Sequence, residues 1–149
     1  MIPALHRIAL LAVLALAARA APAQQPRLPE VRLTAGVYLI HAELAAEEQT
    51  RMLGLMYRTG LSPNGGMLFV FHAPGVQCMW MKNTLIPLSV AFLADDGKIV
   101  NIERMQPQTE ESHCSARPVR YALEMSQGWF AQRGMRPGMR IGGLPGASR

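Results

Sequence analysis

The chain has 149 residues, 50% of them hydrophobic and 17% charged, with 15 Lys and Arg against 10 Asp and Glu. That length fits one domain, and the apolar content excludes an intrinsically disordered chain, which needs low hydrophobicity and high net charge. The basic residues are scattered, without a run or an interleaved aromatic stripe, so nucleic acid is not an expected partner.

The first element is Met1–Ala23. His6-Arg7 lead into Ile8–Ala18, eleven residues without a polar side chain, and small residues follow up to Ala21-Pro22-Ala23. This is the pattern of a secretory signal peptide. The apolar run is shorter than the roughly 20 residues that a spanning helix needs. An uncleaved anchor is the competing reading, and Ala18-Arg19-Ala20 offers a second cleavage site. Cleavage after Ala23 removes Arg7 and Arg19, leaves 126 residues and lowers the net charge from +5 to +3. The expected protein is periplasmic or secreted, with no stable membrane insertion once the signal is cleaved.

Gln24–Glu30 (QQPRLPE) reads as a flexible leader. Val31–Leu44 is rich in strand formers and supplies one or two strands. In Ala45–Met56 the period changes: Met52, Leu55 and Met56 recur at helical spacing and Glu47 and Glu48 suit a first turn, which predicts a short amphipathic helix. Gly54 within it costs about 1 kcal/mol relative to Ala, the mark of close packing or of a helix end. Ser62–Gly66 is a turn, Met67–Phe71 a strand and Pro74-Gly75 a break. Cys78–Lys82 and Leu88–Leu93 are the next strands, with a hairpin turn at Ala94–Gly97 and a return along Lys98–Met105. Gln106–Pro118 is a loop of a length that is usually functional or pinned. Arg120–Met125 is a strand, Gly128–Arg133 a helical turn near the C-terminus ended by Gly134, Met139–Ile141 a last short strand and 143–149 a flexible tail. Six or seven short strands against one helix predict a mainly β, single-domain sandwich or small barrel over residues 31–142. Helices are too few for a parallel α/β sheet.

Cys78 and Cys114 are the only cysteines. An even pair in a small exported domain reads as a disulfide, and closing 36 residues contributes roughly 3–4 kcal/mol in the chain-entropy model. Two thiols without CxxC spacing make a poor zinc site, and no metal or cofactor is expected. His41, His72 and His113 have no metal-ligand spacing. Nine methionines outlast cleavage. Thioethers suit Cu(I), while the plainer reading makes them flexible core filler.

The most unusual stretch is Met79-Trp80-Met81-Lys82-Asn83-Thr84. On a strand, Trp80, Lys82 and Thr84 share one face and Met79, Met81 and Asn83 the other. Facing a cleft, Trp80 would form a stacking wall, Lys82 would grip an anion, and Asn83 and Thr84 would donate hydrogen bonds. The alternative is a core Met/Trp cluster with Lys82 at its rim. Arg51 and Arg58 each suit an anionic ligand or a structural carboxylate such as Glu43 or Glu124. No GxSxG, Walker, GxGxxG or HExxH motif occurs. Catalytic residues are therefore unassigned, Lys82 being the one nucleophile candidate outside the cysteines.

Glu48…Arg51…Gly54-Leu55-Met56-Tyr57-Arg58, Gly66-Met67-Leu68-Phe69-Val70-Phe71 and Trp80-Met81-Lys82-Asn83-Thr84-Leu85-Ile86-Pro87-Leu88, taken in that order, resemble the signature of domain of unknown function family 192 (DUF192). Pro118…Arg120-Tyr121-Ala122-Leu123-Glu124 and Gly128…Gly134…Gly138 extend the resemblance over about residues 32 to 142. It implies a compact, mainly β, sandwich-like domain, often behind a signal peptide, and no established activity. The family often has an acidic residue where Ser89 stands and another near Arg140, so a site using those carboxylates would be altered here. The resemblance also raises the weight of Trp80–Thr84, with Arg51 and Arg58, as a ligand site.

Two functional readings follow. One is a non-enzymatic module that binds a small polar or anionic ligand, or an envelope partner, through Arg51, Arg58, Trp80, Lys82, Asn83 and Thr84. The other is an envelope enzyme using Lys82. The first needs Trp80 and Lys82 exposed together at a cleft, and the second also needs another titratable group within about 3 Å of Lys82 or one water away.

Overall fold

Period-two apolar patterns punctuated by turn signals fold into strands that a computed structural model describes over residues 25–146. The signal-peptide segment Met1–Ala23, Gln24 and residues 147–149 lie outside the described residues. The elements are β1 (Glu30–Ala35), β2 (Tyr38–Ala45), α1 (Glu48–Leu53), β3 (Gly65–Gly75), β4 (Cys78–Met79), β5 (Leu88–Leu93), β6 (Ile99–Met105), β7 (His113–Cys114), β8 (Val119–Ser126), α2 (Trp129–Gln132) and β9 (Ile141–Gly142). The protein is mainly β, as its strand-rich sequence predicts.

Seven strands form one sheet in the order β6-β5-β8-β3-β2-β1-β9, and β4 pairs with β7 outside it. The sheet curls into a half-barrel. Its edges approach each other: the Ile99 N–H donates to the Met139 carbonyl at 2.8 Å and the Ile141 N–H to the Gly97 carbonyl at 2.9 Å. Pairing is antiparallel except between β2 and β3. A parallel pair needs a crossover, and α1 is the helix that makes it.

The inner strands bury both faces, so their side chains feed two cores. Leu68, Ala91, Leu123, Met125 and Phe130 belong to one. Met67, Phe69, Val90, Phe92 and Ala122 belong to the other, on the face that α1 and its following loop cover. The register aligns Glu43 with Met67, Met67 with Glu124, and Glu124 with Val90 across this second face.

Several expectations change. α1 spans six residues, and none of them is buried. Met52 is 69% exposed and Leu53 is also exposed, so it is Leu55, just beyond the helix, that enters the core. Gly54 ends α1 at φ 48°, where an added Cβ would press on the Phe69 ring at 3.2 Å. Both readings of that glycine hold. The strand expected over Cys78–Lys82 stops at Met79 because the chain turns: the Thr84 N–H donates to the Met81 carbonyl at 3.0 Å.

The leader is anchored from Gln25 onward. Its Leu28 N–H donates to Glu43 Oε2 at 2.8 Å and Gln25 Nε2 to the Met56 carbonyl at 2.7 Å. The tail is likewise anchored through Pro145, whose carbonyl accepts from the Tyr121 hydroxyl at 2.8 Å, while Leu144 packs in the first core. Short-range composition marks both segments as loose, and long-range hydrogen bonds hold them.

Candidate functional site

Three segments build the site: α1 with its following loop, the turn after β4, and the inner strand β8. The turn is held from two sides. Asn83 adopts φ 56° and its carbonyl accepts from the N–H of Tyr57, itself at φ 61°, at 2.9 Å. Left-handed backbone at such residues persists where the surroundings enforce it. On the other side the Met81 N–H donates to the Thr109 carbonyl and the Gln108 N–H to the Thr84 carbonyl, both at 3.0 Å. The Cys78–Cys114 disulfide joins directly paired residues of β4 and β7 and pins the same loop, as expected.

These constraints place Trp80, Lys82, Asn83 and Thr84 together, although the strand alternation that first grouped them is absent. Trp80 is 47% exposed and the Lys82 ammonium lies 5.3 Å from its ring centroid. Lys82 Nζ is also 3.6 Å from Glu110 Oε1, both side chains being exposed. Asn83 is half-buried and Thr84 buried. Beside them runs an open groove of about 480 Å³ bordered by Met52, Leu53, Met56, Trp80, Lys82 and Asn83.

A recess of about 30 Å³ shares Met52, Leu53, Met56 and Trp80 with that groove. This is room for a group the size of one or two waters. Arg51, Thr84 and Glu124 supply its polar lining. Glu124 is 3% exposed, and among the described residues no hydrogen-bond or ion-pair partner meets its carboxyl. Burial pushes its pKa up from 4.5 to about 8, so the acid is neutral at pH 7. A buried acid kept neutral is a hydrogen-bond donor rather than an anion. From the sequence Glu124 stands out only as a structural partner for an arginine. The available signal was a lone carboxylate inside the apolar strand Tyr121–Met125.

The two arginines separate. Arg51 Nη1 donates to the Ala46 carbonyl and to the Val70 carbonyl, the latter at 3.0 Å, and its guanidinium lies 5.9 Å from the Phe71 ring centroid. It still lines the recess. Arg58 instead donates through Nη2 to Glu43 Oε2 at 2.7 Å, with both residues buried, and lines a different cavity of about 200 Å³ with Leu28 and Met67. Arg58 is thus a partner for Glu43 and not for Glu124. Ser89 lies on the opposite face, its Oγ accepting from the Gly128 N–H at 3.2 Å. Arg140 Nη2 pairs with Asp96 Oδ2 at 2.8 Å. Met67, Met81 and Met105 are buried core residues. Among the described residues no three His, Cys, Asp or Glu side chains gather where they could hold a metal ion, and no helix there is long and apolar enough to cross a membrane.

A family model described as "Uncharacterized ACR", DUF192, matches residues 31–143. The chain belongs to the DUF192 family. This DUF192 protein is similar to a candidate transcription regulator from Sinorhizobium meliloti 1021, with 37% identity over 80% of this chain and 98% of the other and a TM-score of 0.74. It is also similar to a protein of unknown function from Novosphingobium aromaticivorans DSM 12444, with 34% identity over 83% of this chain and 93% of the other and a TM-score of 0.75. No curated protein matches the DUF192 chain.

Proposed function

We propose that this DUF192 protein is an exported, non-enzymatic module that binds a small polar or anionic ligand in the groove beside α1. The observation that carries the proposal is the joint exposure of Trp80 and Lys82 at that groove. A rigid indole and an apolar floor supply contact area, while a cation at the rim supplies orientation, the usual division of labour in a ligand site. Export is supported by the Met1–Ala23 pattern and by the Cys78–Cys114 bond, since disulfides persist in oxidising compartments. Lys82 has Glu110 3.6 Å away, but an exposed, solvated pair leaves the amine a weak nucleophile.

The test is a thermal-shift screen of the mature chain against small carboxylates, phosphates and sugars, run on wild type, Trp80→Ala and Lys82→Ala. A compound that raises the wild-type Tm and loses its effect in both variants is the expected result. Hits that shift all three proteins equally would overturn the groove as the site. Fractionation tests export: the mature N-terminus is expected at Gln24 in the periplasm or medium, and an uncleaved chain in the cytoplasm would overturn it.

A further inference from the structure

Three features converge on the recess beneath the groove. A carboxyl group more than nine-tenths buried lines it without a partner among the described residues. Two cationic side chains lie along it: Arg51, whose Nη1 donates to the Ala46 and Val70 carbonyls, lines the recess, and Lys82, paired with exposed Glu110, borders the groove. The recess shares Met52, Leu53, Met56 and Trp80 with a mostly apolar groove, and of these Met52, Leu53 and Trp80 are exposed.

Resting on the binding role proposed above, we infer that the ligand has an apolar body that lies on Trp80 and α1, and a carboxylate head that enters the recess to accept a hydrogen bond from Glu124 beside Arg51. The chemistry selects the head. An ammonium would be desolvated beside Arg51 and would meet an acid that has no charge to offer. A carboxylate oxygen matches the Glu124 donor and the cationic side chains that line the recess and groove, and hydrogen bonds to charged acceptors are the stronger kind. The groups facing Glu124 across the sheet do not compete: Met67 and Val90 are apolar, Glu43 beyond Met67 is taken by Arg58, and Glu103 beyond Val90 accepts from Asn101.

The binding mode carries a pH signature. Glu124 loses its proton through a pKa of about 8, and a carboxylate head then meets a second anion. Isothermal titration of the mature chain with hexanoate, hexylamine and 1-hexanol at pH 7 and pH 9 tests this. Hexanoate is expected to bind at least tenfold more tightly than the other two at pH 7, and to weaken about tenfold by pH 9. Glu124→Gln, which keeps an N–H donor but does not titrate, is expected to bind hexanoate at pH 9 as at pH 7. Hexylamine or hexanol matching hexanoate, or a pH response that survives in Glu124→Gln, would overturn the carboxylate assignment. In either of those cases, a compound that loses its binding in Trp80→Ala shows that the groove stands while the assignment falls. If Trp80→Ala changes nothing for any compound bound, the groove itself falls.

Discussion

Glu43 and Glu124 face the same way on one face of the sheet, in register with only Met67 between them. They are similarly buried, at 5% and 3% exposure. Glu43 accepts from the Arg58 guanidinium at 2.7 Å and from the Leu28 N–H at 2.8 Å. Glu124 has neither kind of partner among the described residues and borders a recess instead. Packing a carboxylate into a core is not itself a functional sign. Where arginine and a backbone donor satisfy it, the group is structural; where neither reaches it, burial favours the neutral acid.

The sharpest break between the two comes from removing Arg58. Arg58→Ala leaves the Glu43 carboxyl buried without its arginine, and chemical denaturation is expected to register a loss of about 3–5 kcal/mol. Glu124→Gln at pH 7 removes no partner and is expected to change stability far less. Equal losses in the two variants would erase the distinction between the carboxylates.

Next in size is the disulfide, which braces only the Glu124 side. Replacing Cys78 and Cys114 together by serine is expected to lower stability by roughly 3–4 kcal/mol. It should also loosen the Trp80–Thr84 wall, admit water to Glu124 and draw its pKa back toward 4.5. The cost of Arg58→Ala should be the same with and without the bond, because sites without shared partners add.

A smaller effect separates the carboxylates by pH. Glu124 titrates higher in the folded chain than at its ordinary 4.5, so the unfolded chain releases this proton first. Stability from this group is complete below about 4.5, declines as pH rises toward about 8 and is gone above it, a contribution of a few kcal/mol at most. Urea midpoints of wild type minus Glu124→Gln across that range isolate the slope from the histidines, which both proteins share. A flat difference would place Glu124 in water. The smallest stability effects belong to Trp80→Ala and Lys82→Ala, within about 0.5 kcal/mol for exposed side chains. These variants should nevertheless be the ones that abolish ligand-induced Tm shifts.

Local chemistry determined much of this protein by itself. Val31–Leu44, Leu88–Leu93 and Lys98–Met105 announce strands through period and turn residues, the Asp-Gly turn announces its hairpin, and the two cysteines announce their bond, because each signal acts over a few residues or has one partner available. The family motif covering Gly54–Arg58 and Trp80–Leu88 contributes Met56, Trp80, Lys82 and Asn83 to the groove beside α1. Tertiary structure alone decided the rest. Met52 fits the helical period of an inward face, yet α1 leaves it on the surface because the sheet beneath is already filled by Leu55 and Phe69. Trp80 and Lys82 meet through a left-handed turn at Asn83 rather than through strand alternation. Which carboxylate finds an arginine depends on the β2–β3–β8 register and on where the chain after α1 returns. No local pattern carries that information, since burial and pairing are properties of residues brought together from distant parts of the chain.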